Sequence, residues 1–326
     1  MDIILDHFAK KILLIRSDRL GDLLAITPAI RAVRSYFKDA RIDFLASDIN
    51  VEAIRVNPHI DNVYVLKQRG PLSWPRLVWQ IRRQNYDIVL CFNGGSSKAA
   101  LFTWLAGAGT SFGKVGIGRK FSKYFDHFFI PDNKLHITRA NLAFLGKFGI
   151  PSAGEKMEFV LPDDARKNAA TRFPRSERKR LAVFIGNAKK IHSRWPAEKF
   201  AVLVEKILAT YGSLEIFLLY GKAEIPLLSY FKPHDRLKMF NGNLVEAAAF
   251  LATCDALLTS SSGPWHLAAA VDTPTMSIIS RFNYDFWRPL EGRNYFVVQD
   301  DDQNNDDVRT IKIEPVLKMV EDFITG

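Results

Sequence analysis

The chain has 326 residues, a net charge of +10, 48% hydrophobic and 25% charged residues, which is the make-up of a globular protein long enough for two domains of ordinary size. No stretch approaches the roughly 20 apolar residues of a membrane span, the start MDIILDHFAKK is not laid out as a signal peptide, and Cys91 and Cys254 form no CxxC, which argues against a disulfide framework or a structural zinc site. A cytoplasmic protein is expected; its basic balance favours an anionic partner, a phosphate-bearing small molecule first and a membrane surface second, and no nucleic-acid motif or Lys/Arg tail is present.

In chain order, KILLIRS (11–17) reads as a strand, ITPAIRAVRSYF (26–37) as an amphipathic helix and RIDFLAS (41–47) as a strand. VEAIRVN (51–57) is a short helix, NVYVLK (62–67) a strand and PRLVWQIRRQN (75–85) a helix. YDIVLCF (86–92), KAALFTWLAG (98–107) and KVGIG (114–118) continue as strand, helix, strand. The alternation implies a parallel sheet with helices on both faces, and the near-continuous apolar strands are what such a covered sheet requires. It breaks in a stretch rich in proline and charge, so the expected domains are 1–160 and 181–326 with a linker at 161–180.

The pattern then resumes. LAVFIG (181–186), LEIFLLYG (214–221), DALLTS (255–260), TPTMSIIS (273–280) and NYFVVQ (294–299) read as strands. AEKFAVLVEKILATYG (197–212), LVEAAAFLATC (244–254) and GPWHLAAAV (263–271) read as helices. IEPVLKMVEDFITG (313–326) reads as a closing helix of the second domain, with packing back on the first domain left open. Two doubly wound α/β domains with a cleft between them follow, and ligands in such folds bind beyond the carboxyl ends of the strands.

The turns at those ends carry the candidate chemistry. No GxGxxG follows the first strand, and AGTSFGKV (108–115), a near-miss P-loop, reads as a loop. NGGSSK (93–98) reads as a tight turn with serine caps. TSSSGPWHLAAA (259–270) enters a small-residue helix whose N-terminus suits a diphosphate; Ser261 and Ser262 stand at cap positions, Gly263 admits a close ligand and His266 lies one turn in. An ordinary Ser-capped helix with a half-buried histidine explains that stretch equally well. GNAKKIHSRWP (186–196) gathers Lys189, Lys190, His192 and Arg194 beside Gly186 and Asn187, cations suited to a leaving diphosphate, with Trp195 expected to pack and hold the turn. Asp22 follows Gly21 in SDRLGDLL (17–24). It is either an acid favourable to a helix dipole or a general base, kept ionised by Arg16, Arg19 and the helix N-terminus. DDQNNDD (301–307) reads as an exposed loop far in sequence from the phosphate turns, and no metal site is expected.

Taken together, ILLIRSDRLGDLLAITPAIRAVR (12–34), HITRANLAFLGKFGI (136–150), SRWPAEKFAVL (193–203) and SSSGPWHLAAAVDTPTMSIIS (260–280) resemble the ADP-heptose:lipopolysaccharide heptosyltransferases and glycosyltransferase family nine. The resemblance implies a GT-B fold of two Rossmann-like domains, an acceptor held mainly by the first and a nucleotide-sugar donor by the second. It implies Asp22 as catalytic base, with Ser17, Arg19 and Gly21 at the acceptor. Gly263 and His266 match the donor-phosphate turn, Glu224 the ribose-contacting acid, and Gly242, Asn243 and Leu244 the backbone that meets the base. Two positions depart from the family pattern: Ser261 stands where an aspartate is common, and Ser193 where a lysine is common. The implied activity is metal- and cofactor-free inverting transfer of a heptose or related sugar, ADP-heptose foremost, to a lipopolysaccharide-core or other glycolipid acceptor, by a protein peripheral on the inner face of the cytoplasmic membrane. The alternatives are a GT-B transferase or epimerase using another nucleotide sugar, and a non-catalytic binding protein at the membrane surface.

Overall fold

KILLI has four of its five residues buried, and a strand apolar on both faces needs cover on both faces. In the computed structural model, which describes residues 9–67, 74–187, 191–299 and 307–325, that strand is an inner member of a six-stranded parallel sheet. The chain divides into two units between Val160 and Leu161.

The first unit holds β1 (Lys11–Ile15), β2 (Arg41–Ser47), β3 (Asn62–Leu66), β4 (Ile88–Cys91), β5 (Thr110–Lys114) and β6 (His127–Phe129), with α1 (Leu20–Leu24), α2 (Thr27–Tyr36), α3 (Trp74–Arg82), α4 (Ser97–Ala106) and α5 (Ile137–Gly146). The second holds β7 (Lys179–Phe184), β8 (Leu214–Leu219), β9 (Leu237–Phe240), β10 (Ala256–Ser260), β11 (Thr275–Ser280) and β12 (Asn294–Gln299), with α6 (Asp163–Arg172), α7 (Ala197–Thr210), α8 (Leu244–Leu251), α9 (Gly263–Ala270), α10 (Arg281–Trp287) and α11 (Ile313–Thr325). The strand orders are β3-β2-β1-β4-β5-β6 and β12-β11-β10-β7-β8-β9. All ten pairings are parallel. Each sheet is therefore doubly wound, and its order reverses between β1 and β4 in one unit and between β7 and β10 in the other. Such reversal points open a crevice beyond the strand ends, where ligands bind.

Two expectations are corrected. AGTSFGKV is not a loop, since β5 runs through it and ends at Lys114, before most of the expected strand KVGIG. Gly113 lowers strand propensity there, but a Cβ on it would sit 2.5 Å from the Phe125 ring, so packing against that ring selects glycine. The expected linker, 161–180, carries α6 and is fastened to the second unit. Phe173 packs among Phe217, Phe240 and Phe250, with centroids 4.8–5.9 Å away. Arg180, paired with buried Glu215 at 2.9 Å, also donates to the Phe173 and Pro174 carbonyls. The closing helix α11 packs on β11, β12 and α7, burying Val316, Met319 and Val320 in the second unit's own core.

Candidate active site

In the first unit the chain leaves β1 at Arg16, which is buried and makes three side-chain hydrogen bonds. Its Nε donates to Asp18 Oδ1 at 2.7 Å, its Nη1 to the Phe92 carbonyl after β4 at 2.8 Å, and its Nη2 to Asp22 Oδ1 at 2.6 Å. The Asn50 amide donates to the Asp18 carbonyl at 2.8 Å and pins the turn to the segment after β2. One guanidinium thus spans the β1/β4 reversal point and aims the Asp22 carboxylate, a bidentate-capable geometry that lysine would not supply. Burial pushes the Asp22 carboxyl above its ordinary range; Arg16 and Arg19 pull it down and the Asp18 charge pushes it up. This corrects the expectation that neighbouring cations dominate, because desolvation of the carboxylate outweighs them. The outcome is a stronger base than an exposed aspartate.

Beside this cluster lies a cavity of about 660 Å³, lined by Arg16, Ser17, Asp18, Asn93, Lys98 and Lys114 among others, a volume suited to a small ligand. Of the expected acceptor residues, Ser17 reaches this wall; Arg19 is exposed and Gly21 accepts the Ala25 N–H at 3.0 Å within α1. Ser96 caps α4 as expected, accepting from Ala99 N, but the same turn also forms part of the cavity wall. Lys114 donates to Asn141 on α5. Burial lowers its ammonium to about 7, with Arg16's charge adding and Asp18 and Asp22 opposing. Sequence reasoning missed Lys114 and Asn141, whose only signal was a lone lysine ending an apolar strand.

In the second unit two turns meet across the β7/β10 reversal point. The Asn187 amide donates to the Ser261 carbonyl at 2.7 Å, and Trp195 N donates to Ser260 Oγ at 3.0 Å. Trp195 is fully buried and its indole donates to the Ile311 carbonyl at 2.9 Å, which holds the turn as expected. Ser262 is at the N-cap of α9, but its side chain makes no cap bond and instead pairs with Thr259 Oγ1 at 3.0 Å. Ser262 therefore does not cap α9, and a helix N-terminus without a side-chain cap is where a diphosphate can bind, although Pro264 has no N–H to offer it. His266 is buried one turn in, with its ring 6.3 Å from that of Trp287. Arg194 is half-buried on the adjoining turn; Lys189 and Lys190 lie outside the described residues.

Glu224 is buried, and its Oε2 accepts the Gly221 amide at 2.9 Å. A Cβ on Gly186 would lie 2.3 Å from Glu224 Oε1, so this glycine admits the carboxylate to the end of β7. Gly242, Asn243 and Leu244 stand together at the start of α8, but Asn243 is spent on that helix: its side chain accepts from Glu246 N at 3.0 Å and its own amide donates to Glu246 Oε2 at 2.7 Å. Of the acidic stretch 301–307 only Asp307 lies among the described residues, and it is nearer the basic turn than its sequence distance suggests. Asp307 Oδ2 lies 3.8 Å from His192 Nδ1, and hydrogen bonds from Arg309 hold the Asp307 carboxyl down to about 2. Among the described residues no group of three His, Cys, Asp or Glu is placed to hold a metal ion. Cys91 and Cys254 are buried free thiols.

A model of "Glycosyltransferase family 9 (heptosyltransferase)" matches residues 74–317. The chain is 23% identical over 286 residues to lipopolysaccharide heptosyltransferase 3 of Escherichia coli K12, covering 82% of each chain. It is 21% identical over 347 residues to lipopolysaccharide heptosyltransferase 1 of Campylobacter coli, covering 96% of this chain and 98% of that one, the opening turn included. Among solved structures it shares the fold of a family 9 glycosyltransferase from Veillonella parvula (TM-score 0.84, 18% identity, 100% and 99% covered) and of E. coli ADP-heptose lps heptosyltransferase II (TM-score 0.81, 18% identity, 97% and 98% covered). With two doubly wound domains of the GT-B class and a family match over most of its length, the chain belongs to glycosyltransferase family 9, the heptosyltransferases.

Proposed function

We propose that this protein transfers heptose from ADP-heptose to a sugar of the lipopolysaccharide core, with inversion, and that Asp22 is the general base. Asp22 takes the proton of the acceptor hydroxyl, the oxygen attacks the anomeric carbon, and the bond to the diphosphate breaks, so that ADP leaves with the electron pair. The leaving charge is compensated by the N-terminus of α9 and by Arg194, Lys189 and Lys190. Glu224 accepts from the ribose hydroxyls. Gly242 and Leu244 remain beside the base, while Asn243 contributes to α8. Transfer then needs no metal. The lipid-borne acceptor makes the enzyme a peripheral protein on the inner face of the cytoplasmic membrane. The relatives' names support the acceptor, and a likeness to an E. coli heptosyltransferase WaaC solved with ADP-2-deoxy-2-fluoro heptose supports the donor (TM-score 0.73, 16% identity, 96% and 99% covered).

The observation that carries the reading is the 2.6 Å pairing of Asp22 with Arg16, a residue of the first unit's cavity wall, with the carboxyl's basicity raised by burial. Asp22→Asn keeps shape and removes the base. Turnover with ADP-heptose should collapse while thermal stabilisation by ADP persists, and retained turnover would remove Asp22 from the mechanism.

A second reading keeps the mechanism and changes the donor. Ser193, where the family commonly has a lysine, is only 1% exposed, and Ser261 replaces a common aspartate. A thermal-shift panel of ADP, UDP, GDP, CMP, NAD and ADP-heptose separates the two: a ligand at a hundred times its Kd stabilises by about 2.7 kcal/mol. Selective response to UDP or GDP would favour the second reading.

A further inference from the structure

The first unit carries an exposed aromatic and basic surface that the proposed chemistry does not use. Trp104 on α4 is 61% exposed, Ile117 66% and Phe128 41%. Trp104 meets Tyr124 edge-on at 6.4 Å, and Tyr124 lies 6.4 Å from Phe121. The cations of this segment lie over its rings: Arg119 over Phe128 at 5.8 Å, Lys120 over Phe121 at 5.0 Å and Lys123 over Tyr124 at 5.5 Å. Residues 116–125, GIGRKFSKYF, contain these three cations and no acid. The next residue, Asp126, turns its carboxylate to Ser111 N and Oγ at 2.8 and 2.7 Å.

We infer that this face, centred on residues 117–128 with Trp104 beside it, docks the chain on an anionic bilayer. Amphipathic rings and long basic side chains match the headgroup layer, where the ring enters the interface and the cation stays with the phosphates. Protein interfaces deplete lysine at their centres, and two copies of this face would set like charges against each other. A bilayer rich in acidic lipid satisfies both the apolar and the charged part at once. The inference deepens the proposed function, resting on its lipid-borne acceptor for a purpose, since docking would bring the first unit's cavity to a substrate that does not leave the membrane.

The test is co-sedimentation of the full chain with vesicles of phosphatidylcholine alone or mixed with phosphatidylglycerol. Binding to the mixed vesicles only is expected. Replacing Arg119, Lys120 and Lys123 by glutamine should weaken it by about a hundredfold, roughly fivefold for each cation. The control Lys167→Gln, Lys206→Gln, Lys318→Gln, which removes three exposed cations of the second unit, should weaken it far less. A Trp104→Ser, Ile117→Ser, Phe128→Ser variant should also release the vesicles, and unchanged turnover on a soluble acceptor fragment would show that its first unit folds. The inference is overturned if the wild type ignores the mixed vesicles, if patch and control variants bind alike, or if the patch variants dissociate a dimer and leave vesicle binding intact. Turnover on a soluble acceptor fragment tests the transferase reading separately, because it needs no bilayer.

Discussion

The turn after β1 and the paired turns after β7 and β10 occupy equivalent points of two similar sheets, yet they are built from opposite materials. The first packs Arg16, Asp18 and Asp22 into one half-buried cluster, with Lys114 on the wall of the adjacent cavity. The second ties backbone to backbone with uncharged side chains, Asn187 and Ser260, and leaves the amides of α9 unclaimed by its cap residue. Ionisable groups crowded out of water acquire shifted proton affinities, which acid–base work needs. Oriented amides hold charge without titrating, which phosphate binding needs. The same place in a fold serves either task according to what is desolvated there.

That contrast breaks most sharply at Asp22. Asp22→Asn should lower kcat by about 10²–10⁴-fold, the usual contribution of a positioned base, with ADP binding unchanged by calorimetry. At the other point the effect should reverse. Gly186→Ala forces Glu224 off the end of β7, and losing hydrogen bonds to a charged partner should weaken ADP by roughly 10–100-fold, while a soluble acceptor fragment binds as before. Equal losses for both ligands would mean that the substitution damages the domain and not the donor site.

Two pH measurements sharpen the comparison. A protonated carboxyl cannot accept the acceptor's proton, so kcat/KM falls as pH drops through the Asp22 pKa. Because burial and Asp18 raise that pKa, the fall begins at higher pH than for an exposed aspartate. Asp18→Asn removes a like charge and leaves more of Arg16 for Asp22, so the acid limb should move to lower pH; a limb that stays or rises would contradict the cluster's logic. Lys114, lowered to about 7, loses its proton as pH rises through neutrality, so acceptor KM should rise there if the cavity holds an anionic part of the acceptor, and Lys114→Met should flatten that dependence. The smallest effect should come from chelation, with activity the same in EDTA and in magnesium.

Much of the fold was legible from residues. Covered parallel strands must be apolar nearly throughout, and KILLI, YDIVLCF, LAVFIG and DALLTS advertise this without reference to partners. The short strands β6 and β9 were not, because HFF and LKMF lie at sheet edges where half the residues face out and no continuous apolar run is required. The linker was misplaced because α6 is mostly polar and exposed; what binds the region is Phe173 and Arg180, which act through partners 35 to 77 positions on. At the site, the positions of Asp22, Glu224 and the α9 turn were readable as motifs, whereas the capping bonds of Asn243 and the approach of Asp307 to His192 were not.

By itself, then, the sequence settled the two doubly wound sheets and the acid and glycine turns at their ends, because hydrophobic period and turn chemistry are local properties of the chain. Tertiary structure decided what those residues are chemically. The raised basicity of Asp22, the near-neutral amine of Lys114 and the carboxylate of Glu224 against Gly186 depend on desolvation and on distances between elements far apart in sequence. A motif records which group is present, and only packing sets how tightly that group holds its proton.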